Sequence, residues 1–271
     1  MRTVGQIFLV ILFVILFFVG LLSATLKFQL LNYNFWTEAF QKNAVYQNLA
    51  ITSKSAFEFQ IAVQGGNRND ITTLTDLITP ENAKDVINNN LSNFLNFANG
   101  KVSQLNVYLP IDKISANLIP VSMTGFKSEM PLTDLLTKFN FQNSQNLPLQ
   151  TLSHLGEYST YIFAGALILF VSTIIFLILL VKSGKRLISL GISFLLTGGL
   201  TILIAAIVNN LNAVFSADLI SKTSLTRVIV GAILPPVVME ITTMWHILGL
   251  ILLFIGVILF FIKKPKYNHS K

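Results

Sequence analysis

The sequence of 271 residues contains no cysteine and only three histidines. Without cysteine the chain forms no disulfide bonds, thiolate metal sites or cysteine nucleophiles. Isolated histidines without cysteine also argue against a zinc site. Charged residues are scarce as well: they make up 11% of the chain, against about 25% in soluble globular proteins. Together with a hydrophobic content of 53%, this scarcity predicts a membrane protein.

Two long apolar runs organise the chain. Residues 161–181 and 187–208 carry no charge and are separated only by residues 182–186. Each run is long enough to cross about 30 Å of hydrocarbon as a helix, and the short connection does not allow another crossing. The runs therefore predict an antiparallel helical hairpin. Its turn holds Lys182, Lys185 and Arg186, which places the turn in the cytosol because short cytosolic loops are rich in lysine and arginine.

Two further spans are predicted near the ends of the sequence. Residues 1–26 contain the apolar run 7–22, and residues 243–262 form the last run. The first run also fits a secretory signal peptide, but it is longer than the usual core of about 7–15 residues. Its best cleavage site places Leu22 at position −3. We interpret the run as an uncleaved signal anchor, with cleavage as the alternative.

The predicted fold class is a multi-pass membrane protein, mainly α, with four transmembrane helices and an α-rich (α+β) extracytosolic domain inserted between helices 1 and 2. The predicted organisation is transmembrane helix 1 in 1–26, the extracytosolic domain in 27–157, transmembrane helices 2–4 in 158–262 and a cytosolic tail in 263–271. Helices 2, 3 and 4 are expected over 161–181, 187–208 and 243–262, with an outer loop and interfacial helix over 210–238. Both termini are expected in the cytosol and the protein in the plasma membrane. The net charge of +7 then reflects topology rather than nucleic-acid binding, because the cytosolic pieces hold basic residues and no acid.

Local patterns predict several elements outside the spans. Asn34 is expected to cap a helix that ends near Leu49, and a second helix is expected over 55–63. Thr79-Pro80-Glu81 is typical of a helix start and Asn99-Gly100 of a helix end. Further expectations are a strand over 104–109, short helices over 112–118 and 132–139, a polar loop over 140–154, and a surface helix over 218–233 that Pro235-Pro236 ends.

The third span is rich in small and hydroxyl-bearing residues, namely Gly191, Ser193, Thr197, Gly198, Gly199 and Thr201. Gly249 and Gly256 share a face of the fourth span. Small residues allow helices to approach closely in a membrane, which predicts that the third span lies at the centre of the bundle. A substrate path is the alternative. The spans lack the mid-depth charges and prolines of ion-coupled transporters, so we disfavour coupled transport.

Four ionisable residues are low-ranking candidates for function. His154 and Glu157 are three residues apart and can act as a base and its partner, or they are ordinary polar residues at a junction. Glu240 and His246 lie in the outermost turns of the fourth span, where ionisable groups are costly and often functional, or interfacial. Candidate partners of His246 are Glu240, Ser216 and Asp218. The sequence assigns no catalytic residue, and we expect no metal and no cofactor.

A resemblance covers much of the chain. It rests on Asn34-Phe35-Trp36, Val45-Tyr46, Leu49, Leu77-Ile78-Thr79-Pro80-Glu81, Asn99-Gly100 and Val107-Tyr108-Leu109-Pro110-Ile111-Asp112. In these patterns the chain resembles an uncharacterised group of bacterial membrane proteins with one span, an extracytosolic domain and three spans. The resemblance implies that architecture and a bacterial cell envelope, and it implies no activity.

Three functions remain open. The leading hypothesis is a non-enzymatic binding, assembly or sensing protein whose domain over 27–157 contacts an envelope protein or a cell-wall component. The second is the membrane subunit of an ABC-type complex, because the order of spans resembles the MacB and FtsX permease families. The short inner turn offers an ATPase little surface, which counts against it. The third is an outer-leaflet enzyme that uses the four ionisable residues. The lipid bilayer is the only other expected partner, and no nucleic acid is expected.

Overall fold

A computed structural model describes residues 2–63, 78–111, 126–138, 149–181, 185–220 and 225–262. This part of the chain is mainly α-helical, as predicted, and it includes one two-stranded sheet. The helices are α1 (Arg2–Ala24), α2 (Tyr33–Lys42), α3 (Val45–Val63), α4 (Pro80–Ala98), α5 (Leu132–Lys138), α6 (Leu149–Leu152), α7 (Leu155–Leu180), α8 (Arg186–Ile220) and α9 (Leu225–Phe261). The strands are β1 (Asn106–Tyr108) and β2 (Glu129–Pro131), and a π-helical segment (Thr25–Leu30) follows α1.

Four helices in this part of the chain are long and apolar enough to cross a membrane. The spanning stretches are Val4–Leu30, Leu155–Leu180, Arg186–Phe215 and Val230–Phe261. The most apolar 18 residues of each stretch have a mean hydropathy between 2.2 and 3.2, because each stretch includes one of the uncharged runs seen in the sequence. The prediction of four helices that can span a membrane is confirmed.

The chain divides into two compact units. One, the membrane unit, comprises Met1–Leu26, Ser159–Leu211 and Met239–Lys271. The other, the second unit, comprises Lys27–Tyr158 and Asn212–Val238.

Helix α8 is the most buried of the four spanning helices. One third of its most apolar window is buried (33%), against 17–22% for the other three. Four hydroxyl residues at four-residue intervals form a buried stripe along it: Ser189, Ser193, Thr197 and Thr201. Each hydroxyl donates a hydrogen bond of 2.7–3.0 Å to the carbonyl four residues earlier. Intrahelical bonding lets these polar groups lie inside the bundle, and the predicted central position of the third span is confirmed.

Helices α8 and α9 are in backbone contact at two glycine pairs. A Cβ atom added to Gly198 would lie 2.7 Å from the carbonyl oxygen of Gly249. A Cβ added to Gly191 would lie 3.0 Å from the carbonyl oxygen of Gly256. The two pairs are seven residues apart on each helix. The later glycine of α8 meets the earlier glycine of α9, so the two helices are antiparallel. The predicted close packing of small residues in spans three and four is therefore confirmed.

Aromatic packing joins α1 to α7 and α8 in the membrane unit. The ring of Phe13 in α1 is fully buried and lies 4.6 Å from Phe170 in α7 and 5.2 Å from Phe194 in α8. Nearby, the side-chain amide of Gln6 donates to the hydroxyl of Ser189. These contacts fix α1 against the hairpin of α7 and α8.

The first helices of the second unit differ from the prediction in two ways. Asn32, not Asn34, caps α2: its side chain accepts a 3.0 Å hydrogen bond from the backbone N–H of Asn34. The expected continuous helix also breaks at Asn43 and Ala44, where Ala44 has a positive φ of 50°. The chain turns there so that Phe40 and Tyr46 pack edge to face at 5.8 Å. Tertiary packing of these rings outweighs the local helical periodicity. Because α3 then runs from Val45 to Val63, the helix expected over 55–63 is its second half.

Helix α4 follows the prediction closely. The hydroxyl of Thr79 accepts a 3.1 Å hydrogen bond from the backbone of Asn82, and Pro80 occupies the first helical position. The helix ends at Asn99, and Gly100 adopts a positive φ of 71°. Both boundaries are set by side chains within one turn of the helix end, which is why the sequence predicts them.

A two-stranded antiparallel sheet follows α4. Strand β1, at the centre of the predicted strand, pairs with β2, which the sequence did not predict. The side-chain amide of Asn90 bonds both the N–H (2.8 Å) and the carbonyl (2.9 Å) of Tyr108. This amide therefore takes the place of a further strand at the outer edge of β1. The helix predicted over 132–139 is present as α5, whereas that over 112–118 lies outside the described residues. Residues 140–148 of the expected loop over 140–154 also lie outside them, and the described part of that loop differs from the prediction because it contains the single helical turn α6.

The prediction for residues 210–238 is wrong in part. The residues expected to form a surface helix over 218–233 are helical where the structure describes them, but they belong to the end of α8, which runs to Ile220, and to the start of α9, which begins at Leu225. Pro235 and Pro236 lie inside α9 rather than ending a helix. The carbonyl of Pro235 accepts a 3.1 Å hydrogen bond from the side-chain amide of Asn212. Prolines are tolerated in long apolar helices when neighbouring polar groups bond the backbone around them.

Candidate functional site

The second unit contains a cavity of about 300 Å³ between the end of α4, the sheet and α6. Residues from all these elements line it: Phe97, Ser103, Gln104, Leu105, Pro131, Leu132, Thr133, Leu149, Gln150 and Ser153. None of these described residues is ionisable. The lining combines apolar side chains with neutral hydroxyl and amide groups, so it suits a neutral ligand better than acid–base chemistry.

The turn after α4 creates one wall of this cavity. Because Gly100 adopts a left-handed conformation, the backbone N–H of Lys101 reaches the carbonyl of Asn96 at 2.8 Å and the chain reverses direction. The reversal leads into β1. Leu132, the first residue of α5, donates a 2.8 Å backbone hydrogen bond to Leu105 just before that strand. One glycine and one backbone bond thus bring the two apolar sides of the cavity together.

The polar side of the cavity comes from the single turn of α6. The backbone of Ser153 bonds the carbonyl of Leu149 at 3.0 Å, and its hydroxyl donates to Gln150 at 2.8 Å. The amide side chains of Gln104 and Gln150 are exposed to solvent. Each offers two donors and one acceptor oxygen to a ligand.

Asn99 joins the cavity wall to the segments that connect the second unit with α1 and α7. Its side-chain amide donates to the carbonyl of Leu95 (2.8 Å) and to that of Leu31 (3.2 Å), which directly follows the π-helical segment. On the other side, the backbone of Gly156, in the first turn of α7, packs against Asn99 so closely that an added Cβ would lie 2.6 Å from its Oδ1. A Cβ on Gly100 would lie 3.3 Å from the carbonyl oxygen of Ser153. We call this arrangement of Leu31, Asn99, Gly100, Ser153 and Gly156 the junction corner.

Sequence reasoning identified only part of the junction corner. Asn99-Gly100 was assigned to helix termination alone, and Gly156 was not singled out. The requirement for glycine at position 156 arises from contact with a residue 57 positions earlier, and no local pattern indicates it.

The structure brings His154 and Glu157 together beside the junction corner. Their Nδ1 and Oε2 atoms are 3.3 Å apart, and both side chains are about half exposed (48% and 53%). The ring of Tyr158 lies 5.9 Å from that of His154. An exposed contact between two polar side chains of this kind contributes at most about 1 kcal/mol to stability. Neither residue lines the cavity.

Glu240 and His246 belong to the membrane unit, not to the unit that contains His154 and Glu157. The ring nitrogen Nδ1 of His246 donates a 2.8 Å hydrogen bond to the carbonyl of Thr242, one turn earlier in α9. Glu240 is partly buried on the same helix. The side chains of the other two predicted partners of His246, Ser216 and Asp218, lie outside the described residues.

A buried tyrosine links α3 and α4 away from the cavity. The hydroxyl of Tyr46 lies 2.6 Å from the side-chain oxygen of Asn88, to which it donates a hydrogen bond. Burial raises the pKa of Tyr46. The contact stabilises the packing of α2, α3 and α4, and its role is structural.

Within the described residues no group of three or more metal-ligating side chains is present. Comparison with known proteins gives no match to a family model, to a curated protein or to a solved structure.

Proposed function

We propose that the protein is a non-enzymatic component of a bacterial cell envelope that binds a partner through its second unit, in an assembly or sensing role. The proposed location is the plasma membrane, with both termini and the 182–186 turn in the cytosol and the second unit outside. The positive charges of that turn support this orientation. The cavity supports binding rather than catalysis, because its described lining carries neutral groups only.

The observation that carries the proposal is the junction corner. Ser153 contributes both to the cavity wall and to the packing against Gly100. Asn99, next in the chain to Gly100, bonds the segment that follows α1 and packs against the first turn of α7. A ligand that shifts the cavity wall therefore acts on the two segments through which the second unit connects to transmembrane helices. A partner-binding unit with this construction suits assembly or sensing.

The lining also indicates the chemistry of the partner. Hydroxyl and amide groups recognise other neutral hydroxyls and amides, while Phe97, Leu105 and Leu132 offer apolar contact. The volume of about 300 Å³ is at the small end of ligand pockets, about 300–1,000 Å³. It accepts one side chain or one sugar ring. We propose that the partner is an uncharged segment of an envelope protein or of a cell-wall polymer.

Photo-crosslinking in native membranes tests this proposal. A photoreactive amino acid replaces Gln150 at the cavity in the full-length protein, and in the control it replaces Gln41, an exposed residue of α2. We expect a reproducible adduct from position 150 and none from position 41. Equal labelling at both positions, or no adduct at position 150, contradicts the proposal. A co-purifying ATPase would instead support the ABC-type subunit.

The orientation has a separate test, for which the natural absence of cysteine gives a clean background. A single cysteine is introduced as Gln41→Cys or as Lys185→Cys, both at exposed positions. With a membrane-impermeant maleimide, we expect Gln41→Cys to react in intact cells and Lys185→Cys only after permeabilisation. The reverse pattern would invert the proposed topology.

A further inference from the structure

The membrane unit contains an apolar cleft of about 230 Å³ between α1, α7 and α9. All of its lining residues are apolar. Its walls include three residues with little or no side chain, Gly20 and Ala24 of α1 and Ala166 of α7. At one end lie the rings of Phe17 and Phe170, whose centroids are 6.1 Å apart.

The packing of the bundle explains why this space is not filled. Phe13 fills one region between α1, α7 and α8 with aromatic contacts. Farther along α1, Gly20 and Ala24 have too little side chain to continue that packing. A Cβ on Gly20 would only just touch the Cβ of Ala166, at 3.8 Å. Helix α9 is held against α8 through their paired glycines, and it contributes only Leu248 to the cleft.

Hydrocarbon, not water, surrounds this cleft. The helices that form it are three of the four membrane-spanning helices. Leu167, one of its lining residues, is 49% exposed on the outside of the bundle, so the cleft opens towards the bilayer. Apolar cavities exclude water and accept apolar ligands; a cavity of about 150 Å³ in another protein binds benzene.

We propose that the cleft binds one hydrocarbon chain of a membrane lipid. Its walls extend along α1 from Leu16 to Ala24, a length of about 12 Å at 1.5 Å per residue. That is less than half of the ~30 Å hydrocarbon core, so the cleft holds part of a single acyl chain. A helix from another protein does not fit, because even a 10 Å length of helix about 10 Å wide occupies about 800 Å³.

The ends of the cleft determine the direction of the chain. The paired rings of Phe17 and Phe170 border one end. At the other end, Ala24 is followed by Thr25, whose hydroxyl accepts a 3.0 Å hydrogen bond from the indole of Trp245. The acyl chain therefore enters beside Trp245 and points towards the phenylalanine rings. In the proposed topology the lipid belongs to the extracytosolic leaflet.

Quenching of tryptophan fluorescence by brominated lipid tests this site. The chain has only two tryptophans, so Trp36→Phe leaves Trp245 as the sole reporter. Trp245 is 8% exposed, and it lies one turn before Leu248 on α9. The protein is reconstituted in vesicles of phosphatidylcholine whose acyl chains carry bromine, and emission is compared with vesicles of unmodified phosphatidylcholine.

A leucine that fills the cleft should remove the quenching, while the same leucine on the lipid-facing surface should not. We expect Gly20→Leu, and independently Ala24→Leu, to reduce the quenching of Trp245 to about half or less. Gly165→Leu is the matched control, because no atom lies within 4 Å of a Cβ at that position. It should leave the quenching unchanged.

Bound lipid is also measured directly by mass spectrometry of the detergent-purified protein. We expect one phospholipid per chain in the unaltered protein and in Gly165→Leu, and a loss of that lipid in the cleft-filling variants. No retained lipid in the unaltered protein, or equal quenching in Gly20→Leu, Ala24→Leu and Gly165→Leu, overturns the proposal. Crosslinking of two chains through the cleft would overturn it in favour of self-association.

Discussion

The glycine contact between α8 and α9 gives the sharpest prediction of stability. In Gly198→Ala the new methyl group would lie 2.7 Å from the carbonyl oxygen of Gly249 and 2.8 Å from the backbone nitrogen of Leu253. Both neighbours are backbone atoms in a helix, so neither can rotate away. Carbon contacts are optimal at about 3.5–4.0 Å, and the helices must separate by about 1 Å to relieve the clash.

The expected change in the stability of Gly198→Ala follows from two opposing effects. Overpacking of this kind costs about 1–3 kcal/mol, and the separation also weakens the contact of Gly191 with Gly256. Replacing glycine by alanine within a helix returns about 1 kcal/mol through helix propensity. We therefore expect a net loss of up to about 2 kcal/mol relative to the unaltered protein, and a loss of about 1–3 kcal/mol relative to a variant that gains only the helix propensity. The corresponding decrease in the melting temperature relative to the unaltered protein is up to about 8 °C.

Gly199→Ala is the matched control for this experiment. It makes the same chemical change one residue farther along α8, where no atom lies within 4 Å of a Cβ. It should be neutral or slightly stabilising through helix propensity. Thermal unfolding of both variants in one detergent measures the difference. If Gly198→Ala is as stable as Gly199→Ala, the backbone contact of these helices is refuted.

Three further predictions concern the second unit. Asn99→Ala removes both hydrogen bonds that the Asn99 side chain donates. It should lower the free energy of unfolding by about 1–3 kcal/mol and speed limited proteolysis. Asn89→Ala is the control: it removes one exposed hydrogen bond within α4 and should have little effect. Gly156→Ala forces a methyl group against Asn99 and should lower the melting temperature, while Gly165→Ala, with no atom within 4 Å of a Cβ, should not. Because the pKa of Tyr46 is raised from 10.0 in the folded state, its contribution to stability is complete below pH 10 and is lost as the pH rises through the higher folded pKa. Tyr46→Phe should weaken that alkaline loss in pH-dependent melting; an identical alkaline decline in both proteins would contradict the burial of this hydroxyl.

The buried hydroxyl stripe of α8 bears on the alternative hypothesis that the third span lines a substrate path. The hydroxyl of Ser193 donates to Ser189, that of Thr197 to Ser193, and that of Thr201 to Thr197, each within its own helix. A hydroxyl has one hydrogen, so these donors are already engaged. The stripe therefore serves close helix packing in the structure described.

The sequence predicted the elements whose cause is local. Thr79 and Pro80 begin α4 and Gly100 follows its end, because capping involves only residues within one turn. The break at Ala44 was missed, since it depends on the packing of Phe40 against Tyr46. Strand β2 was missed for a similar reason: three residues give no detectable alternation, and the strand exists only through pairing with β1.

The candidate site was less predictable than the fold. His154 and Glu157 were recognised as neighbours on a helical face, and their contact at 3.3 Å agrees with that spacing. The cavity beside them was not foreseen, because its walls come from four separate stretches of the chain. Neutral residues such as Gln104 and Gln150 also carry no sequence pattern that distinguishes a binding wall from an ordinary surface.

The sequence by itself determined that the chain has four helices able to cross a membrane, because the apolar length needed for a span is a property of each segment alone. It did not determine where α8 and α9 end, since the prolines that usually stop a helix are accommodated within α9. Only the tertiary structure decided that Gly191 meets Gly256 and that Gly198 meets Gly249. It likewise decided that small residues of α1 and α7 leave a cleft. These features depend on which faces of distant segments pack together, and that choice is made by the fit of the whole bundle.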